Sequence, residues 1–590
     1  MGMLAVVLPL LCFAAVLNRD SFRESLLKSL IVNGLFVAVS TEILSSLDLI
    51  AFAPLVVCWS LFLFALIAWR CRATATTGKV DGTTTTTFQN ILLGLLICVV
   101  GISGITAMVA APNNFDSLTY HLPRVMHWIQ NGSVAHYPTH IDRQLTLAPF
   151  SEFVIMHLQI LSGGDRFANS VQWLSMVGSA VGVSLIVRAL HGNLTSQLVA
   201  AAFSVSLPMG LLQATSTQND YVVTFWLVCL AYYVIKAKAC ADAKGALMVG
   251  LSLALAIFTK GTAYLVAAPF MLAYLWHLGA KGMKSAAVHL LVVSTIILLV
   301  NGGHFARSQK VYGNPISPGT GNDIICTQFD AAAVISCVTK NVATQLASGL
   351  HGANMKLAEL VNVIHDVIGI DVHDDDLTMG GGFFLQTAKH HEDFAPNPLH
   401  MILMMGAAAT LIVRYNRYSR EIILYATATI LSFVVLSSGI KWNPFISRYF
   451  LPVFVISAPC IGLLFNGTRL RFLANCCALV LLVSSFIVLA DNEMRPLVGP
   501  KSVFTTKRLD QYFMVNPQAK PYFKATVDMI KYQPNSNIGL LDRDGNMWEY
   551  LLWIMLKDTG VSYRIEHVEV NNPSGRIKLQ GFSTYFPVRI

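Results

Sequence analysis

Long apolar segments recur along most of this chain, with short polar stretches between them. Each runs for roughly 15–23 residues, and a helix of about 20 apolar residues spans the hydrocarbon core of a bilayer. Helices satisfy all their backbone hydrogen bonds inside lipid. The pattern therefore predicts an all-α polytopic membrane protein with about 11–14 transmembrane helices. The candidate segments start near Met3, Leu30, Ala51, Phe88, Phe167, Leu198, Tyr221, Ala246, Thr262, Ala286, Leu399, Ile422, Tyr449 and Phe472.

Basic residues in the short loops indicate the side of the membrane that each loop occupies. We place the segment after the fourth span outside and let the helices alternate. The short outer loops then hold three basic residues, Lys260, Lys441 and Arg448, and the short inner loops hold 17. Such an excess marks the cytoplasmic side, so both termini are expected outside. The inner residues are Arg19, Arg23, Lys28, Arg70, Arg72, Lys79, Arg188, Lys236, Lys238, Lys244, Lys281, Lys284, Arg414, Arg417, Arg420, Arg469 and Arg471.

This orientation leaves three longer segments on the outer face and divides the chain into three parts. Residues 1–87 are expected to form additional N-terminal transmembrane helices. Residues 88–490 are expected to form the main transmembrane domain, with outer loops 111–166 and 304–398. Residues 491–590 change to strand–helix–strand patterning, which predicts a small soluble α/β domain outside the membrane.

Local patterns add detail to the outer segments. Apolar residues from Leu118 to Ile129 repeat at helical spacing, and Gly132 is a stop signal for that helix. The apolar piece Phe150–Leu161 is too short to span a bilayer. In the C-terminal part, Met547–Lys557 is expected to be a helix between a strand at residues 538–541 and another at residues 561–570.

Composition supports the membrane assignment and narrows the partners. With 54% hydrophobic residues, 12% charged residues and a mean hydropathy of +0.58, the chain is neither a single soluble domain nor disordered. Much of the net charge of +9 comes from the inner loops. Basic clusters with interleaved aromatic residues are absent from the sequence, so nucleic acid is not an expected partner.

Nine of the 11 cysteines lie in or beside apolar segments, where a thiol behaves as a small hydrophobic group. Cys326 and Cys337 lie in the second outer loop instead. An oxidising exterior would permit a disulfide between them.

Two acidic residues stand at the outer ends of predicted spans. Asp116 follows the segment that ends near Ala110, and Asp220 precedes the span that starts at Tyr221. Either could simply cap a helix, because aspartate is common at N-caps. Acids at the membrane boundary are nevertheless functional candidates by default, and two on one face favour a shared site.

Three cations, Lys260, Arg307 and Arg448, are predicted at the same boundary. They could be snorkelling side chains or partners of the acids. The functional alternative is a bound phosphate, because lysine offers a point charge and arginine a planar fork for phosphoryl oxygens. Acids and cations at one depth suggest a site that holds a lipid phosphate and activates a nucleophile.

Several short motifs carry a family resemblance. Their order and sidedness resemble the GT-C superfamily of membrane glycosyltransferases, closest to the protein O-mannosyltransferases and the lipid A aminoarabinose transferases. The resemblance covers roughly Phe88 to Ala490. The motifs are Phe115–Trp128 ending at Gly132, Asn219–Tyr221, Thr259–Gly261, Arg307 with Gly313–Pro315, and Arg448–Pro452.

The resemblance implies a site at which a sugar leaves a polyprenyl-phosphate carrier on the outer face and passes, with inversion, to a lipid, glycan or protein acceptor. It implies Asp116 as the general base. Donor phosphate would be bound by Lys260, Arg307 and Arg448. Asp220, Tyr120 and His121 would orient the substrates.

The sequence departs from that family at Ser117, where a second acid often stands, so a metal bridged by adjacent carboxylates is not expected and no cofactor is assigned. Acidic and histidine residues between His365 and Asp376, and between His390 and Asp393, lack strict metal-ligand spacing. They favour a solvated loop surface, with a separate zinc or calcium site as the alternative.

Two other functions fit parts of the pattern. A transporter or flippase of lipid-linked sugars would show an internal repeat with charges near the midplane, and a surface-glycan polymerase or ligase would share much of the same site. The notable charges lie at one boundary, which favours the transferase. We expect a multi-pass protein of a bacterial inner membrane with its active site on the extracytoplasmic side.

Overall fold

The computed structural model describes residues 6–16, 22–72, 85–239, 242–316, 324–387, 389–467, 470–533, 537–542, 544–578, 582 and 584–589. Of the inner-loop basic residues, Arg19, Lys79 and Arg469 lie outside this described part.

Within the described part, nine helices are long and apolar enough to cross a membrane, and several shorter apolar helices lie among them. The predicted polytopic all-α fold is confirmed. The nine helices are Phe22–Ser46, Phe52–Arg72, Thr87–Val109, Ser170–Ala189, Asp220–Ala239, Thr262–Lys281, Met283–Tyr312, Arg420–Gly439 and Arg471–Ala490. The shorter ones are Val7–Val16, Phe150–Ser162, Leu194–Ser206, Ala243–Ile257, Pro398–Val413 and Leu451–Leu464.

Each of the 14 predicted segments coincides with one of these helices, and the apolar piece after Pro149 becomes the short helix Phe150–Ser162. Helix Asp220–Ala239 lies at the centre, packed against Ser170–Ala189 and Ala243–Ile257. Helix Leu451–Leu464 is buried over nearly its whole length. These central helices are apolar on all sides because protein surrounds them.

Several helices of the bundle are short, and polar chain follows at their ends. Helix Leu451–Leu464 is about 21 Å long at 1.5 Å per residue, less than the hydrocarbon thickness. It follows the single turn Ile446–Tyr449, which carries Arg448. Lys260 lies in the turn between Ala243–Ile257 and Thr262–Lys281. These interruptions place charged residues at the ends of helices.

The first outer segment rests on the N-terminal helices. Its helix Leu122–Asn131 ends at Gly132, which has a left-handed φ of 64° as the predicted stop requires. A Cβ at Gly132 would lie 2.9 Å from the backbone oxygen of Asp48, and Ile50 donates a hydrogen bond to the Gly132 carbonyl. The loop after helix Phe22–Ser46 therefore holds this helix end.

The C-terminal segment forms a small parallel sheet with short helices. Strand β1 (Ile538–Leu540) lies between β2 (Ile565–His567) and β3 (Phe586–Val588). Helix Glu549–Lys557 connects β1 to β2. The predicted small α/β unit is confirmed, and β3 is a strand that the sequence pattern did not reveal. The other short elements outside the bundle are Ser117–His121, Arg143–Thr146, Pro208–Gln213, Ala331–Leu346, His351–Ile368, Tyr415–Arg417, Arg508–Tyr512, Pro517–Ala519, Lys520–Lys531 and Pro573–Arg576.

The C-terminal segment packs directly on the first outer segment. Asp165 accepts hydrogen bonds from the Tyr512 and Tyr550 hydroxyls, at 2.6 and 3.0 Å. The Asn113 amide donates to the backbone of Gln511. The predicted boundary at residue 490 stays a prediction.

Candidate active site

A π-helical turn, Ser117–His121, begins directly after Asp116. Its wider ring closes between residues five apart, and such turns are frequent at functional sites. The Asn114 side chain accepts a hydrogen bond from the Ser117 backbone at 2.7 Å, which fixes the start of the turn. The turn carries Tyr120 and His121 beside Asp116, at the outer end of helix Thr87–Val109.

Arg448 joins two carboxylates that are far apart in the sequence. Its Nη1 donates to Asp116 Oδ2 at 2.7 Å and to Asp393 Oδ1 at 2.9 Å. The side chains of all three residues are nearly buried, with exposed fractions of 10–11%. The guanidinium Nε is buried and has no hydrogen-bond partner among the described residues. One arm of the cation thus holds both acids, and another donor is left for a further ligand.

The two acids respond differently to this shared cation. Burial raises the pKa of Asp116, but the charges of Arg448 and His121 outweigh it, so that pKa lies below its ordinary value of 3.8. Burial also raises the pKa of Asp393, where Arg448 only partly offsets it and the neighbouring Asp116 raises it further. Asp116 therefore stays ionised to lower pH, whereas Asp393 binds a proton more readily.

A second ion pair lies beside the first. Lys260 Nζ lies 2.5 Å from Asp220 Oδ1, and the second oxygen of Asp220 is buried with no hydrogen-bond partner among the described residues. The ring of Tyr449 connects the two pairs, with its centroid 4.9 Å from Lys260 Nζ and 5.5 Å from the Arg448 guanidinium carbon. Ends of helices that are far apart in the sequence thus meet at one site.

Tyr120 and His121 lie on the near side of this site. Burial and the charge of Asp116 raise the pKa of Tyr120 well above its ordinary value, so its hydroxyl stays protonated. His121 Nδ1 lies 2.5 Å from Glu152 Oε1, a carboxylate that also accepts from Arg124 at 3.2 Å. The histidine is therefore held by a buried partner behind the site.

Arg143 is a site cation that the sequence analysis missed. Its guanidinium lies 3.8 Å from Asp116 Oδ1 and over the rings of Phe115 and Tyr120. It donates to the Asn546 side chain at 2.8 Å, so the C-terminal segment reaches the rim of the site. At 35% exposure it is the most accessible charge beside Asp116.

Arg307 is placed apart from these residues. Its two terminal nitrogens bind both oxygens of Glu42 at 2.7 and 2.8 Å, a bidentate pair with helix Phe22–Ser46. Within the described residues, none of its hydrogen bonds or ion pairs reaches the group around Arg448. Its predicted role in binding phosphate stays a prediction without support from this geometry.

The expectation of a solvated loop around His390–Asp393 is wrong for its last two residues. Glu392 is fully buried and pairs with the equally buried Arg495 at 2.9 Å. Asp393 faces Arg448 and also accepts from Gln218 at 3.0 Å. These two acids are buried because Arg495 and Arg448 form ion pairs with them. Spacing along the chain does not indicate such pairs.

One group with metal-ligand side chains, His127, Glu549 and His567, is fully buried between the first outer segment and the C-terminal segment. Glu549 binds His127 Nε2 at 2.7 Å and His567 Nε2 at 3.1 Å. The backbone N–H of His140 donates to His567 Nδ1, which assigns the imidazole proton to Nε2 and directs it at Glu549. This arrangement is a hydrogen-bonded clamp between the two segments.

An apolar groove of about 200 Å³ opens among helices Ala331–Leu346, Pro398–Val413, Arg420–Gly439 and Leu451–Leu464. Methionines and branched residues line it, including Met401, Met404 and Met405. At one side lies Phe433, whose ring is 4.9 Å from that of Phe450, two residues after Arg448. The apolar groove thus reaches the chain two residues beyond Arg448.

Comparison with known proteins supports a class for this arrangement. Residues 148–302 match the dolichyl-phosphate-mannose-protein mannosyltransferase family. This stretch contains Asp220 and Lys260, two of the residues that meet at the site. The resemblance to membrane glycosyltransferases that the sequence predicts is confirmed over this stretch.

Two solved structures are similar to the chain, and both are of ArnT from Cupriavidus metallidurans. The form bound to undecaprenyl phosphate has 12% identity and a TM-score of 0.48, over 82% of this chain and 87% of that one. The apo form has 13% identity and a TM-score of 0.47, over 83% and 87%. No curated protein sequence matches the chain.

Proposed function

We propose that the protein transfers a sugar from a polyprenyl-phosphate carrier to an acceptor on the outer face of a bacterial inner membrane, with inversion at the anomeric carbon. The observation that carries this proposal is the position of Arg448. It holds Asp116, keeps a buried donor that has no partner among the described residues, and lies two residues before Phe450, whose ring contacts Phe433 of the apolar groove. The family that matches residues 148–302 is named for a lipid-phosphate sugar, which supports this class of donor.

The donor fits the site by its two chemical parts. An isoprenoid chain is apolar and suits the methionine-rich groove, where it exchanges contacts with lipid for packing contacts with side chains. The phosphate suits Arg448 and Lys260, which offer a planar fork and a point charge and both lie against the ring of Tyr449. Arg143 adds a third positive charge at the rim.

Asp116 is assigned as the general base. Its carboxylate accepts the proton of the acceptor's hydroxyl or amine, and the freed electron pair attacks the anomeric carbon from the side opposite the phosphate. The carbon–oxygen bond to phosphate breaks, and its electrons stay on the phosphate as a monoester dianion. That leaving group is already stable, so a single base suffices, whereas glycosidases use two carboxylates.

Donor binding changes the strength of this base. In the free enzyme Arg448 is shared by Asp116 and Asp393, which keeps the pKa of Asp116 low. A phosphate that takes up the guanidinium weakens its hold on Asp116, so the carboxylate becomes more basic when the sugar is in place. The second oxygen of Asp220, which has no partner among the described residues, can accept a hydrogen bond from a substrate hydroxyl.

The deciding experiment compares Asp116→Asn with the parent protein. Purified protein in lipid vesicles is given a panel of polyprenyl-phosphate sugars and an envelope extract as acceptor, and release of polyprenyl phosphate is measured. Loss of the base is expected to slow release by about 10²–10⁴-fold. Asp375→Asn, which changes an exposed acid of the second outer segment, is the control and should retain full activity. Undiminished release by Asp116→Asn would refute the assignment.

A further inference from the structure

Cys326 and Cys337 lie in the second outer segment and are close in space. Both are 1% exposed, and their sulfur atoms are 3.9 Å apart. They share a small apolar cluster with Ala333 and Leu377, separate from the main core. Each thiol has the other as its hydrogen-bonding neighbour among the described residues. The pair is therefore isolated from the cysteines of the bundle.

The chain around this pair anchors the loop that leads to Arg448. Ile325 bridges to Ile440, and the Cys326 backbone N–H donates to the Gly439 carbonyl. Leu377 accepts a hydrogen bond from the Trp442 backbone at 2.9 Å. A covalent link between residues 326 and 337 would tie helix Ala331–Leu346 to this anchor.

We propose that Cys326 and Cys337 form a disulfide in the mature protein. Two thiols lose two protons and two electrons as the sulfur–sulfur bond forms. The oxidant is the disulfide of an extracytoplasmic thiol oxidoreductase, which leaves as a dithiol after exchange through a mixed disulfide. The inference rests on the proposed function only for placing residues 304–398 on the outer, oxidising side.

Local chemistry favours the first step of this exchange. The thiolate is the attacking form, and the hydrogen bond from Cys326 lowers the pKa of Cys337. The nearby ammonium of Lys340, three residues along the same helix, lowers it as well. Lys340 is itself buried and held by Thr378 Oγ1 at 2.7 Å, so its charge stays close to the pair. Cys337 is therefore the expected attacking sulfur.

The test is a peptide map of the full-length protein, purified from membranes with free thiols blocked at lysis. Trypsin leaves both cysteines in one peptide because Lys and Arg are absent between them, but cleavage before Asp330 separates them. We expect one cross-linked pair of peptides without reductant and two separate peptides after reduction. Blocked thiols on both residues in the unreduced sample would overturn the inference.

A stability measurement adds a matched control. Reductant is expected to lower the thermal midpoint of the parent protein by several degrees and to leave the Cys326→Ser/Cys337→Ser variant unchanged. Equal shifts in both proteins would contradict the disulfide. A cysteine placed at Leu350, an exposed residue of the same segment, is labelled with a reagent that does not cross the membrane. This labelling distinguishes failure of the disulfide proposal from failure of the predicted sidedness. Reduced cysteines in an outward segment refute the disulfide alone, whereas an inward segment refutes the sidedness of the proposed function too.

Discussion

At the scale of single residues, the chemistry of this site depends on how Arg448 divides its charge. One nitrogen serves two carboxylates, so each is only partly neutralised. Asp116 keeps its charge and Asp393 is the easier of the two to protonate. A phosphate that enters the site competes with both acids for the same guanidinium.

The pH dependence of transfer is expected to report this competition. The acid limb of kcat/KM reflects the free enzyme, in which the pKa of Asp116 is lowered. The limb of kcat reflects the loaded enzyme, in which Arg448 binds phosphate. We expect the kcat limb at higher pH than the kcat/KM limb. Coincident limbs, or a reversed order, would contradict the view that the donor activates the base.

Removing Asp393 is expected to strengthen phosphate binding. In Asp393→Asn the guanidinium loses one competitor, so affinity for free polyprenyl phosphate should rise roughly tenfold, equivalent to about 1.4 kcal/mol. Binding is measured by titrating the lipid phosphate into purified protein, with Asp375→Asn as the control. Weaker binding would show that Asp393 supports the ligand.

At the scale of elements, helix Glu549–Lys557 and helix Leu122–Asn131 are joined by a buried charge cluster. Glu549 lies between His127 and His567, and Gln144 and Trp553 also donate to it. Removing one partner of a buried pair leaves an uncompensated charge, which costs about 3–5 kcal/mol. The C-terminal segment thus depends on this cluster for its docking.

The cluster of His127, Glu549 and His567 is expected to be most stable over an intermediate range of pH and less stable above and below it. Burial lowers the pKa of His127, but Glu549 raises it above 6.5, so its contribution is lost as pH rises through that higher value. Burial raises the pKa of Glu549, but His127 and His567 bring it well below 4.5, so its contribution is lost only in strong acid. The melting temperature should therefore decrease as the pH is raised from 6 to 9.

Glu549→Gln provides the test of that origin. The variant should melt at a lower temperature than the parent. Its melting temperature should no longer decrease as the pH is raised from 6 to 9. Asp528→Asn, which changes an exposed pair with Lys531, is the control and should behave like the parent. An unchanged pH profile in Glu549→Gln would assign the effect to other groups.

At the scale of the whole molecule, the bundle was predictable because lipid imposes a long apolar run on every span. All 14 segments were found for this reason, and the ends of these helices bring Asp116, Asp220, Lys260 and Arg448 together. The strand Phe586–Val588 was missed because three residues carry no usable periodicity.

The site was only partly predictable for a different reason. Asp393 and Arg143 lie in outer loops without helical or strand spacing, and tertiary contacts alone bring them to Asp116. Arg307 lies within helix Met283–Tyr312 and forms an ion pair with Glu42 of an earlier helix. The position of a residue in the sequence indicates its depth in the membrane. Its ion-pair partner depends on which helices are neighbours, and depth does not specify those.

Sidedness can be tested across the whole chain. A cysteine placed at Lys501, an exposed residue of the C-terminal segment, should react with an impermeant maleimide in intact cells. One placed at Tyr415, in a short loop predicted inside, should react only after permeabilisation. The parent protein gives the background from native thiols. The opposite pattern would invert the orientation and remove the outward-facing site.

The contacts of helix Leu122–Asn131 also bear on how the enzyme is made. Its C-terminal end rests on the Asp48 loop, which is synthesised earlier, whereas its His127 binds Glu549, which emerges 422 residues later. Until Glu549 is made, this helix therefore lacks its contact with the C-terminal segment, whereas Glu152, which binds its Arg124, is already in place. We expect chains that are released before Glu549 is made to insert into the membrane but to lack transfer activity. Ribosome stalling in this late region would therefore yield inactive protein.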